Sequence, residues 1–126
     1  MGKTIFIVED DPILLKMYTK KFEKDGFKVL QAIDGQEALD KIGSLEPTPG
    51  AILLDIMLPK IDGFEVLKKI KENPKTKDIP VILSTNLGGG EEDRQKGKAL
   101  GAVDFLVKSE YTPAQIVEKI KGYLKE

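Results

Sequence analysis

The apolar run Ala51-Ile52-Leu53-Leu54, closed by Asp55 and followed by Ile56-Met57-Leu58-Pro59, constrains the fold of this chain more than any other stretch. It is short, unbroken and free of charge until its last residue. Such a run reads as a strand buried on both faces, which is the habit of parallel sheets covered by helices on both sides. Asp55 then stands at the carboxyl end of the strand, the edge at which open α/β sheets hold their ligands. An acid there is a helix cap, a buried structural acid or a reactive group. The residues that the fold brings beside it decide which.

The rest of the chain alternates in the same way. Thr4-Ile5-Phe6-Ile7-Val8 is a strand. Asp11-Pro12 is an N-cap and first helical position, opening a helix whose apolar face is read as Ile13, Leu14, Met17, Tyr18 and Phe22. Phe27 to Ala32 is a second strand, and Asp34 with Glu37 is a capping box for a helix through Ala38, Leu39 and Ile42. After the third strand, Asp62 and Glu65 repeat the cap pattern, with Phe64, Leu67 and Ile70 expected inward. Asn73-Pro74 ends that helix. Pro80 to Thr85 is a fourth strand that closes on two hydroxyls, Ser84 and Thr85. Gly88-Gly89-Gly90 reads as a hinge, because no Lys-Ser or Lys-Thr follows to make it a P-loop. A weak, polar helix is expected over roughly 91–99, a fifth strand over Ala102 to Lys108, and a last helix opened by the Thr112-Pro113-Ala114-Gln115 box and carrying Ile116, Ile120, Tyr123 and Leu124. Five strand–helix units predict an α/β doubly wound parallel sheet, flavodoxin-like (βα)5, with strand order 2-1-3-4-5. The expectation is one domain over residues 1–126 with no output domain.

Composition narrows the chemistry. The 126 residues carry a net charge of −1, which argues against a dedicated nucleic-acid binder. There is no Cys and no His, so thiolate nucleophiles, His-based triads and His or Cys metal sites are excluded. No apolar run approaches the ~18–20 residues that cross a bilayer, and the N-terminus enters a strand without signal-peptide architecture. The expected location is the cytoplasm, with no membrane partner.

The residues able to do chemistry all fall on the carboxyl edge of the sheet. Glu9, Asp10 and Asp11 follow strand one, Asp55 ends strand three, Ser84 and Thr85 end strand four, and Lys108 ends strand five. In the 2-1-3-4-5 order, strands one and three are neighbours, which brings Asp10, Asp11 and Asp55 close together. Carboxylates so placed repel unless a cation is present, and hard oxygen donors select Mg²⁺, or Mn²⁺ in its stead. A lysine on one side and a hydroxyl on the other complete a pocket for a tetrahedral anion. A carboxylate in that pocket is a candidate nucleophile toward phosphorus.

Taken in order, Glu9-Asp10-Asp11, Leu54-Asp55-Ile56-Met57-Leu58-Pro59, Asp62-Gly63, Pro80 to Thr85 and Gly101 to Lys108 resemble the receiver domain of bacterial two-component response regulators over essentially the whole chain. The resemblance implies that Asp55 is the phosphoacceptor and that Asp10 and Asp11 hold Mg²⁺ with Asp55 and the Met57 carbonyl, with Glu9 preceding the pair. It implies Thr85 as the switch hydroxyl, Phe105 as the switch aromatic and Lys108 as the phosphate contact. The implied partners are a sensor histidine kinase or a histidine phosphotransfer protein, and a downstream protein target that binds the surface of helix four, strand five and helix five. No direct DNA contact is implied, and the chain is a monomer or a phosphorylation-dependent dimer. Two positions depart from the family pattern: Ser109 stands where a proline with a cis bond is usual, and Asn86 where a small residue is usual.

Three rival readings meet the same residues. A haloacid-dehalogenase-like phosphatase needs a second Asp two residues after its nucleophile, and that position is Met57. A flavin or nucleotide binder needs a Ser/Thr/Gly-rich loop after strand one, where three acids stand. A degenerate receiver used as a scaffold has normally lost a key residue, and only the proline is missing here. The signalling reading therefore stands ahead of an enzyme: a phosphoacceptor switch that at most phosphorylates itself from small donors and dephosphorylates itself.

Overall fold

The computed structural model describes residues 3–86 and 90–124. The five strands are β1 (Thr4–Val8), β2 (Lys28–Ala32), β3 (Ala51–Asp55), β4 (Val81–Thr85) and β5 (Asp104–Val107). The five α-helices are α1 (Pro12–Lys24), α2 (Gly35–Ile42), α3 (Gly63–Glu72), α4 (Glu91–Ala99) and α5 (Pro113–Lys121), and a short 3₁₀ turn spans Lys108–Glu110. All neighbouring strands pair in parallel, in the order β2-β1-β3-β4-β5, so the doubly wound flavodoxin-like sheet read from the sequence is the one formed.

Strand periodicity divides the core into two layers. On one side, Phe6, Val8, Ile52, Leu54, Val81 and Leu83 pack against Ala38 and Ile42 of α2 and Val66, Leu67 and Ile70 of α3. On the other, Ile5, Ile7, Leu53, Ile82 and Leu106 pack against Leu15, Tyr18 and Phe22 of α1 and Ile116, Val117 and Ile120 of α5. Every residue of β1, β3 and β4 is buried, as the unbroken apolar runs require.

The helix caps follow their sequence signatures. Asp34 accepts from the Glu37 N–H at 2.8 Å, and Glu37 reaches back to the Ile33 N–H at 2.7 Å, one residue before the cap. Thr112 and Gln115 form both halves of their box, at 3.1 and 2.8 Å. Two expectations about faces need correction. Ile13 is 70% exposed and Met17 39% exposed, while Leu15 takes the inward position on α1. On α3, Val66 is buried and Phe64 only partly so. Strand bounds also tighten: Pro80 has no N–H to give to a ladder and lies before β4, and Ala102 and Val103 precede β5. The expected hinge at Gly88 and Gly89 lies outside the described residues.

Helix α4 differs from the other helices. Gly97 is its one buried residue. A Cβ there would come within 2.6 Å of Leu83 Cδ1, so the missing side chain lets the helix lie close on β4. Its remaining hold is cationic: the Arg94 guanidinium lies 5.0 Å from the Phe105 ring centre, and Lys96 Nζ lies 4.5 Å from that of Phe64. Among the described residues, no helix is long and apolar enough to cross a membrane.

Candidate functional site

The pleat builds the site. Ile7, Leu53, Ile82 and Leu106 lie in the layer beneath α1 and α5. Two residues further along each strand direction, hence on the same side, come Glu9, Asp55, Ser84 and Lys108. Apolar packing thus gives way, one rung higher, to two acids, a hydroxyl and a lysine. All four are buried, at 2%, 1%, 1% and 8% exposure.

Lys108 Nζ donates to Asp55 Oδ2 at 2.9 Å and to Glu9 Oε1 at 2.5 Å. The other Asp55 oxygen, Oδ1, accepts from the Met57 N–H at 2.9 Å. The other Glu9 oxygen accepts from the Asp11 N–H at 3.1 Å. Both carboxylates are therefore held at both oxygens. Burial pushes the Glu9 pKa up to about 7, against the downward pull of Lys108 and with a further push from Asp55. For Lys108, burial acts to lower the pKa, but the two facing carboxylates outweigh it and the net shift is upward. The ammonium stays charged, and its charge is what tolerates two acids at this depth.

Carboxylate oxygens of Glu9, Asp10 and Asp55 lie within 4.8 Å of one another, with Asp10 at the exposed lip. Hard oxygen donors without nitrogen or sulfur suit a hard divalent cation, so the donor set fits Mg²⁺ or Mn²⁺. Asp11, expected as half of the acidic pair, stands outside this cluster. Its Oδ1 accepts from the Ile13 and Leu14 N–H groups at 2.9 and 3.3 Å, capping α1, whereas Glu9 stands within the cluster. One signal was present in the sequence: a single step of two from Ile7 puts Glu9 on the side of Asp55 and Lys108.

The other expected residues divide between the two sides of the sheet. Thr85 is buried at the end of β4, paired in register with Val107, on the Leu83 side. Phe105 is buried on that side too, and Arg94 donates to its carbonyl at 3.3 Å. Ser84 shares the Asp55 side and is its register partner. The Met57 side chain is exposed and its backbone lies against Asp55. Asn86 is exposed just beyond Thr85. The cis peptide among the described residues is Glu46–Pro47, so the Lys108–Ser109 bond is trans.

Comparison with known proteins agrees with this geometry. Residues 5–121 match the family model described as the response regulator receiver domain. The phosphate regulon transcriptional regulatory protein PhoB of Escherichia coli (strain K12) is 36% identical over 125 residues, covering 99% of this chain and 53% of that protein. The DNA-binding dual master transcriptional regulator RpaA of Synechocystis is 34% identical, covering 96% and 48%. The chain thus spans about half the length of the curated relatives it matches. Among solved structures, the chemotaxis protein CheY4 of Vibrio cholerae superimposes with a TM-score of 0.84 at 28% identity, over 95% of this chain and 97% of that one. A CheY-like receiver domain protein of Methanospirillum hungatei does so with 0.83 at 30% identity, over 97% and 93%.

Proposed function

We infer the function of this site from its kinship: the chain belongs to the response regulator receiver domain family. It is a phosphoacceptor signalling domain, a switch rather than a classical enzyme. We assign the phosphoacceptor role to Asp55. The observation that carries this is the buried Lys108 ammonium bonded to both Asp55 and Glu9 at the carboxyl edge of the sheet.

A carboxylate oxygen of Asp55 attacks phosphorus on a donor histidine of a sensor kinase or phosphotransfer protein. The P–N bond breaks, its electron pair stays with the imidazole, and an acyl phosphate is left on Asp55. Met57 N–H and Lys108 already fix the carboxylate, so little reorganisation precedes attack. Glu9, Asp10 and Asp55, with the Met57 carbonyl, are the residues that would hold Mg²⁺ (or Mn²⁺), which shields the incoming phosphoryl group from three negative side chains. Lys108 follows the new charge and takes up a phosphoryl oxygen. Thr85 closes on the same group from β4, and Phe105 with α4 repacks behind it.

The surface of α4, β5 and α5 is the output face for a downstream protein. This chain itself makes no DNA contact on this reading, works in the cytoplasm, and is a monomer or a phosphorylation-dependent dimer. Intact-protein mass after incubation with acetyl phosphate, with and without Mg²⁺, tests the assignment. One phosphoryl addition that needs both Mg²⁺ and Asp55 is expected. Addition to Asp55→Asn at the wild-type rate, or no Mg²⁺-dependent addition to wild type, overturns it.

A further inference from the structure

Tyr18 is wholly buried, yet its hydroxyl has no hydrogen-bond partner among the described residues. Buried hydroxyls are almost always paired, and an unpaired one is costly. Phenylalanine would fill the same space without that cost. The position of Tyr18 gives the hydroxyl a use.

Tyr18 packs in the layer of Ile7, Leu53, Ile82 and Leu106, immediately below the rung that carries Glu9, Asp55, Ser84 and Lys108. Helix α1 begins beside the acids, at Pro12, and runs down the sheet. Side chains of a helix lean toward its N-terminus, so the Tyr18 ring leans up toward the acid rung. Its phenol is held above its ordinary pKa by burial first, then by the charges of Glu9, Asp55 and Asp11. The other orphaned buried hydroxyl, Ser84 Oγ, belongs to that same rung.

We propose that Tyr18 is a positioning residue of the phosphoacceptor site, whose idle hydroxyl takes up Glu9 when Lys108 turns to the phosphoryl group. The proposal rests on Asp55 being the phosphoacceptor. In the unmodified site one ammonium serves both acids. Once phosphoryl oxygens compete for it, Glu9 Oε1 keeps at most the cation that the acids would hold, and a carboxylate oxygen has room for a further donor. Glu9 Oε2 keeps the Asp11 N–H, so the need falls on one oxygen. The Tyr18 hydroxyl is then a donor already on the correct side of the sheet, and its unpaired state before modification is matched by a bond made only after it. The residue stores a preference for the modified state.

The test uses fluoroberyllate with Mg²⁺ as the phosphoryl mimic, on wild type, Tyr18→Phe and Asp55→Asn. Two quantities are read: the melting temperature in EDTA without ligand, and fluoroberyllate affinity by calorimetry. Tyr18→Phe is expected to melt at or above wild type, since it sheds an orphan hydroxyl. It is expected to bind fluoroberyllate about tenfold more weakly, the loss of one hydrogen bond to a charged acceptor. A merely structural tyrosine would not move the two readings in opposite directions. Equal affinity in wild type and Tyr18→Phe overturns the proposal alone, as does Tyr18→Phe melting well below wild type, which would show the hydroxyl already engaged. Wild type failing to bind fluoroberyllate, like Asp55→Asn, overturns the phosphoacceptor reading and this proposal together.

Discussion

Replacing Lys108 with methionine removes the charge that holds Glu9 and Asp55 together while keeping most of the side-chain volume. Lys108 is 8% exposed and its ammonium bonds both acids directly, at 2.5 and 2.9 Å. Deleting one member of a buried ionic group leaves uncompensated charge behind and costs about 3–5 kcal/mol. Here two carboxylates are left facing each other, which argues for the upper end at pH 8. A chain of 126 residues loses about 4 °C of melting temperature per kcal/mol, so the variant is expected to melt about 12–20 °C below wild type in EDTA. Circular-dichroism melts at pH 8 and pH 5, each with and without Mg²⁺, separate the causes. The deficit should shrink at pH 5, where Glu9 takes up a proton, and Mg²⁺ should recover more for the variant than for wild type, because a cation then replaces a cation. A variant that melts within about 4 °C of wild type in EDTA at pH 8 would refute the argument. So would a deficit that neither acid nor Mg²⁺ reduces.

Three further outcomes follow from the same geometry. Glu9 binds its proton more tightly folded, with a pKa of about 7, than in the unfolded chain, where it is 4.5. Its contribution to stability is therefore full below about pH 4.5 and is lost as pH climbs to 7; metal-free urea melts should show wild type losing stability over that window relative to Glu9→Gln. Gly63→Ala would put a Cβ 2.4 Å from the Asp55 carbonyl oxygen and 2.5 Å from Ile56 Cα, backbone atoms that cannot turn aside. It should cost about 2–3 kcal/mol in urea melts and slow phosphorylation by shifting the strand end that carries Asp55. Arg94→Ala removes both the guanidinium over Phe105 and the bond to its carbonyl; amide exchange in α4 should quicken, while global stability changes by no more than about 1 kcal/mol.

The sheet and its order were legible because β1, β3 and β4 are apolar runs ended by polar residues, and because Asp11, Asp34, Asp62 and Thr112 are strong caps. The family follows from the same residues. What the sequence hid was direction. Ile13, Leu14 and Met17 are apolar at plausible helical spacing, but α1 turns Leu15 inward, because the helix buries the face that Tyr18 and Phe22 share. Exposed apolar residues are common enough that hydrophobicity alone does not choose a face. Asp11 had two legible roles, cap and metal ligand; its Oδ1 takes the cap bonds, and it stands outside the cluster of Glu9, Asp10 and Asp55. Glu9 was underrated because a buried glutamate is unfavourable unless paired, and its partner, Lys108, lies 99 positions away. The orphan hydroxyl of Tyr18 left no trace in the sequence, where the residue reads as one more aromatic on an apolar face.

The thin anchoring of α4 bears on how such a chain can diverge. Helices α1, α3 and α5 each bury several side chains, so most of their inward positions are fixed by packing. On α4, only Gly97 is buried, and Glu91, Glu92, Gln95 and Lys98 face solvent. Exchanges at such surface positions usually stay within about 0.5 kcal/mol. Descendants of this sequence can therefore rewrite the outer face of one helix while the stability of the sheet and the buried group around Asp55 are inherited unchanged.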